Sequence, residues 1–111
     1  MRFNELPEFQ KEFKKLQKKY KSLPKDFKIF QTVLNTLPTG NSKHFNILHS
    51  TEDIYIEKAR FFCKYLKGSS LRIVYAYFEK EKRFEFLEIY YKGNKESENR
   101  ERIKEYLSCL K

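Results

Sequence analysis

The stretch Ile56–Lys95, IEKARFFCKYLKGSSLRIVYAYFEKEKRFEFLEIYYKGNK, decides how this chain folds. With the residues just before it, it divides into three strand-like runs rich in aromatic and β-branched residues: Ile54 to Tyr65, Leu71 to Phe78 and Arg83 to Tyr91. Lys67-Gly68-Ser69-Ser70 and the polar segment Glu79 to Lys82 separate the runs, and connections this short predict an antiparallel meander. Side chains alternate between the faces of a strand, so Lys58, Arg60 and Lys64 are expected on one face and Ala59, Phe61 and Cys63 on the other. Arg72 stands among Leu71, Ile73, Val74 and Tyr75, where a guanidinium calls for a specific reason. A cationic sheet face of this kind suits a phosphate backbone. The plainer reading is a solvated face, with Lys and Arg stems covering apolar surface and Arg72 paired with Glu57, Glu85 or Glu88.

Working outward, the first third has helical spacing. Phe9, Phe13, Leu16 and Tyr20 recur between Pro7, which suits a first helical turn, and the break at Ser22-Leu23-Pro24. Phe27, Phe30, Val33, Leu34 and Leu37 then repeat the pattern up to Pro38-Thr39-Gly40, which predicts a helical hairpin. Lys11, Lys14, Lys15, Lys18, Lys19 and Lys21 fall on its outward face, as a solvated surface or a nucleic-acid patch. Polar and turn residues dominate from Pro38 to Asp53, with a weak strand signal at Phe45 to Leu48. After the meander, Glu96, Ser97 and Glu98 suit a helix N-terminus, and Ile103, Tyr106, Leu107 and Leu110 form the apolar stripe of a C-terminal helix.

The whole span 1–111 reads as a single α+β domain: a helical hairpin packed on a small antiparallel meander, followed by one helix. Its 24 Lys and Arg against 15 Asp and Glu leave a formal charge of +9, which favours a polyanionic partner: RNA, DNA or an acidic protein segment. Cys63 and Cys109 are too few for a disulfide framework and lie in no ligand pair; Cys63 is expected to be a buried thiol. His44 and His49, five residues apart in a polar segment, make a poor metal site, so neither metal nor cofactor is expected. No apolar run approaches the roughly 18 residues of a membrane span, and MRFNELPEF lacks the apolar core of a signal peptide. The expectation is a cytoplasmic protein without a membrane partner.

The turn Leu66-Lys67-Gly68, the run Arg72-Ile73-Val74-Tyr75 and the lysines Lys92 and Lys95 of the YYKGNK segment, set in this order of elements, resemble the RelE/ParE toxin superfamily of bacterial type II toxin–antitoxin systems. The resemblance covers Phe9 to Leu107. It implies a RelE/ParE-like fold and either an mRNA endoribonuclease, usually acting on the ribosome without a metal, or an inhibitor of DNA gyrase. A cognate antitoxin would neutralise it by laying an acidic, amphipathic segment on the basic surface. In the nuclease branch the resemblance makes Arg72 a stabiliser of the scissile phosphate and Lys58 and Arg60 part of the catalytic group. Tyr91 takes the base-stacking or proton-handling place, and Lys64, Lys92, Lys95 and Tyr90 contact RNA. The histidine that some nuclease members carry beside the tyrosine pair is missing, and no carboxylate base stands out. Lys58 or Lys64, crowded by other cations, is the remaining candidate base. A non-catalytic RNA-binding module is the third reading.

Overall fold

The computed structural model describes residues 2–38 and 45–110. Among the described residues, three helices and five strands follow in the order β1 (Arg2–Glu5), α1 (Pro7–Lys19), α2 (Leu23–Thr36), β2 (Phe45–Ser50), β3 (Ile54–Cys63), β4 (Gly68–Phe78), β5 (Arg83–Tyr91) and α3 (Arg100–Cys109). The strands form one sheet in the order β1-β5-β4-β3-β2. The α+β architecture and the β3–β4–β5 meander follow the sequence expectation. The sheet is wider than that meander, because β2 flanks β3 antiparallel and β1 pairs with β5 in parallel. Nothing in RFNE announces a strand: its register, Arg2 against Arg83 to Glu5 against Phe86, is set by residues some eighty positions away.

The helical hairpin lies on one face of the sheet and α3 on the other. Under the hairpin, Phe9, Leu23, Phe27, Phe30 and Leu34 pack with Ala59, Phe61, Cys63, Leu71, Ile73, Tyr75, Phe84 and Phe86. Phe86 is the hub of the aromatic packing: its ring meets those of Phe3, Phe9, Phe27 and Tyr75, and lies 4.9 Å from Phe27 in an edge-on contact. Truncating such a ring to alanine costs about 3–5 kcal/mol. Val33 and Leu37, read as part of the α2 stripe, are instead 40% and 44% exposed, and the buried stripe runs through Leu23, Phe27, Phe30 and Leu34. Beneath α3, Ile56, Val74, Ala76, Phe78, Leu87 and Tyr106 make a smaller core. Asn99 rather than the Glu96–Glu98 segment caps α3, its side chain accepting from the Arg102 amide at 3.0 Å.

Two polar devices hold the layers together. The β3–β4 turn leaves the amides of Lys64 and Tyr65 without strand partners, and Asp26 and Ser22 of the hairpin accept them at 2.9 and 2.8 Å. On β5 a bulge at Leu87–Glu88 interrupts pairing with β4. Past the end of β1, Glu12 of α1 accepts the Ile89 amide and a two-pronged contact from Arg102 of α3, which also donates to the Leu87 carbonyl. One ion pair thus joins helices on opposite faces of the sheet.

Candidate nucleic-acid interface

The ladder registers set out the α3-side face row by row. At one end Ile54, Phe78 and Arg83 lie side by side, followed by Ile56, Ala76 and Glu85, then by Lys58, Val74 and Glu88. The last row is Arg60, Arg72 and Tyr90. Apolar side chains thus give way to charged ones along the strands. The helix changes with them: Tyr106 reaches Glu85, while the N-cap residue Asn99 donates its amide to Glu88 one row further on. The Arg60–Arg72–Tyr90 row lies beyond that N-terminal end.

Arg72 is half-buried, and its guanidinium donates to the Leu71 carbonyl at 3.1 Å. Burial and the like charge of Arg60 lower it from the ordinary arginine value, with Tyr90 opposing them. The carboxylates proposed as its structural partners are engaged elsewhere or face away. Glu85 accepts from Arg83 and Tyr106, Glu88 from Lys95 and the Asn99 amide, and Glu57 pairs in register with Tyr75 of the hairpin-side core. Tyr90 is buried to 6% exposure, and burial together with the charges of Glu98 and Glu88 pushes its hydroxyl up to about 12. It therefore stays protonated at neutral pH and can donate a hydrogen bond.

The eight residues singled out from sequence do not form one cluster. Arg60, Arg72 and Tyr90 share a row, with Lys58 one row away. Lys95 joins them from the segment before α3, its ammonium 5.3 Å over the Tyr90 ring and paired with Glu88. Lys92 is exposed in the same segment. Lys64 departs from the alternation, because β3 ends at Cys63 and Lys64 starts the turn anchored on Asp26. Tyr91 is also displaced. Its ring points to the hairpin side, 6.4 Å from Tyr20, and lies so close over Gly93 that a Cβ there would meet it at 2.4 Å. Neighbouring strand residues face opposite ways, and register puts Tyr90, not Tyr91, beside Arg72.

Glu98 lies beside the basic row through Lys58, a placement that sequence reasoning misses. Its position suggests a helix-starting charge, but its side chain is 3% exposed and accepts from Lys58 at 2.9 Å, with Arg100 at 3.4 Å. Burial alone would raise Glu98, yet the hydrogen bond and charge of Lys58 hold it below the usual carboxylate value. Lys58, named as a candidate base, is an ion-pair donor in this arrangement. The pairing joins positions 40 residues apart, and no local spacing signals it. Among the described residues, no three His, Cys, Asp or Glu side chains gather as metal ligands; His44 lies outside those residues. No helix among them is long and apolar enough to cross a membrane.

No protein-family model matches the chain, and no curated protein matches it significantly. Among solved structures it is similar to a chain of the archaeal RelE–RelB complex from Pyrococcus horikoshii OT3, with a TM-score of 0.63 and 22% identity over 83% of this chain and 94% of that one. The chain has a RelE-like fold. In this RelE-like domain the meander carries the basic row, and the segment before α3 supplies Lys95 and Glu98 beside it.

Proposed function

We propose that this RelE-like protein is the toxin of a type II toxin–antitoxin pair and cleaves mRNA, acting on the ribosome without a metal. The observation that carries the reading is the Arg60–Arg72–Tyr90 row, where strand register sets two arginines and a protonated phenol side by side beyond the end of α3. Cleavage by a 2′-hydroxyl requires one proton to be removed, one to be donated and the charge on the phosphate oxygens to be neutralised. Arg72 and Arg60 meet the last need, since guanidinium forks pair two phosphate oxygens and stay charged. Tyr90 donates to the phosphate or to the departing 5′-oxygen. Glu98, ionised and held on Lys58, receives the 2′-hydroxyl proton; Lys58 and Lys95 hold the flanking phosphates. Arg60 and Arg72, like-charged in adjacent register, favour an anion beside them, and the more strongly the more charge it carries in the transition state.

A cognate antitoxin of acidic, amphipathic character would cover this surface, charge complementarity speeding its encounter with the +9 domain. The row favours the nuclease over a gyrase inhibitor or a passive RNA-binding module, neither of which needs two arginines at one phosphate.

The test is brief induction in a bacterial host, beside the Arg72→Ala variant, with new 5′ ends mapped across cellular mRNA. Ends within translated regions that vanish with the variant support the reading. Growth arrest without new ends would overturn it in favour of gyrase inhibition.

A further inference from the structure

Several carboxylates of this protein are buried or tightly held, while others, Glu5 and Glu8 beside the first helix among them, are exposed. Asp26, Glu57, Glu88 and Glu98 are buried, and Glu12 and Glu85 are held by Arg102, Arg83 and Tyr106. Along α1 and the turn after it, Lys11, Lys14, Lys15, Lys18, Lys19 and Lys21 are all exposed. Among the described residues none of the six takes part in an ion pair. The outside of the hairpin therefore carries a dense local group of lysines. That side is opposite the Arg60–Arg72–Tyr90 row.

The surface has shape as well as charge. A furrow of about 470 Å³ is lined by Gln10, Lys11, Lys14 and Gln17 together with Glu5, Pro7 and Phe13 at its β1 end, and a second of about 450 Å³ by Lys14, Gln17, Lys18 and Lys21. They share Lys14 and Gln17, so they form one continuous track. Lys14 and Lys18 are i, i+4 neighbours on α1, and Lys21 joins them from the turn that follows. Ammonium groups on flexible stems fit phosphates. The Gln10 and Gln17 amides, each donor and acceptor, fit the 2′-hydroxyls that an A-form minor groove displays between its phosphate rows. The second furrow is lined by polar and charged side chains alone, which lack the buried apolar anchors that protein interfaces are built around.

We propose that this lysine–glutamine track is a second, non-catalytic binding surface for the backbone of double-helical RNA. It lets the domain hold structured RNA on one face while a single strand occupies the other. The inference stands apart from the nuclease reading, since it requires binding only.

The test measures binding of a blunt RNA duplex of about 16 base pairs, the span of a typical duplex-RNA module, to full-length Arg72→Ala protein across a salt series. Two further proteins in that background lose three exposed charges each: Lys14→Gln/Lys18→Gln/Lys21→Gln, and the control Arg2→Gln/Lys80→Gln/Lys104→Gln. The track variant is expected to lose about 10-fold or more in duplex affinity, and its log K against log salt slope to flatten by roughly 2–3, at about 0.7–0.9 for each phosphate no longer neutralised. The control should retain most of both. Equal losses in the two variants would overturn the proposal, reducing the effect to net charge. Unchanged duplex binding by the track variant would overturn it as well. So would polyglutamate binding the parent more tightly than the duplex does and losing that affinity in the track variant, since the track would then be a site for acidic protein.

Discussion

Lys58 and Glu98, 40 residues apart in sequence, meet at 2.9 Å at the edge of the basic row, with the carboxylate almost wholly buried. An RNA phosphate approaching Lys58 competes with that carboxylate. Glu98→Gln therefore should tighten binding of a non-cleavable 2′-O-methyl oligonucleotide by about 3- to 10-fold, the equivalent of roughly 1 kcal/mol of removed charge competition. Cleavage of the unmodified strand should fall by about 10²-fold or more, because the proton acceptor is gone. Fluorescence anisotropy and single-turnover cleavage separate the two effects. Weaker binding together with intact cleavage would assign Glu98 a structural role alone.

Arg72→Ala should reduce cleavage by about 10²–10³-fold, the usual cost of one missing electrostatic donor at a reacting phosphate. Arg72→Lys should recover little, since an ammonium lacks the two-pronged fork. Arg72 is half-buried and outside the aromatic core, so circular dichroism and thermal melting should show both variants folded. A folded Arg72→Ala protein with parental activity would remove the row from the reaction.

The tyrosine pair offers a control within one dipeptide. Tyr90→Phe removes the hydroxyl beside Arg72 and should lower cleavage by about 10²-fold. Tyr91→Phe, on the hairpin side near Tyr20, should stay within about 2-fold of the parent, a negligible change in barrier terms. The reverse ranking would return Tyr91 to the site.

Glu57 gives a prediction about stability. Both of its carboxylate oxygens are buried without a hydrogen-bond partner among the described residues, and burial raises its ionisation to about 8. The native state therefore binds a proton that the unfolded chain has released above its ordinary value of 4.5. This group's contribution is fully present below 4.5 and declines as pH rises to about 8, by up to about 1.4 kcal/mol per pH unit. Urea unfolding of parent and Glu57→Gln across this range should show the stability difference shifting toward the variant as pH rises. A difference independent of pH would mean that Glu57 is ionised in the fold.

These residues show where sequence was sufficient. Alternation and short turns placed β3, β4 and β5, because burial on both faces forces aromatic and β-branched residues into continuous runs. β1 is invisible at that level: four residues cannot display a period, and their pairing depends on β5. The basic row was half legible. Arg72 stood out against its apolar neighbours, whereas alternation could not foresee that β3 would end before Lys64, that register would choose Tyr90, or that Glu98 would fold back onto Lys58.

The Glu12–Arg102 clamp and the parallel pairing of β1 with β5 also bear on how the protein is made. Both join residues some eighty to ninety positions apart in sequence, so the nascent polypeptide carries an unfinished sheet edge until β5 has been made. At roughly 5–20 residues per second, the ninety residues between Glu12 and Arg102 take several seconds to pass through the peptidyl-transferase centre. Assembly of the complete row, with Glu98 folded back onto Lys58, is thereby deferred until the α3 segment has been made.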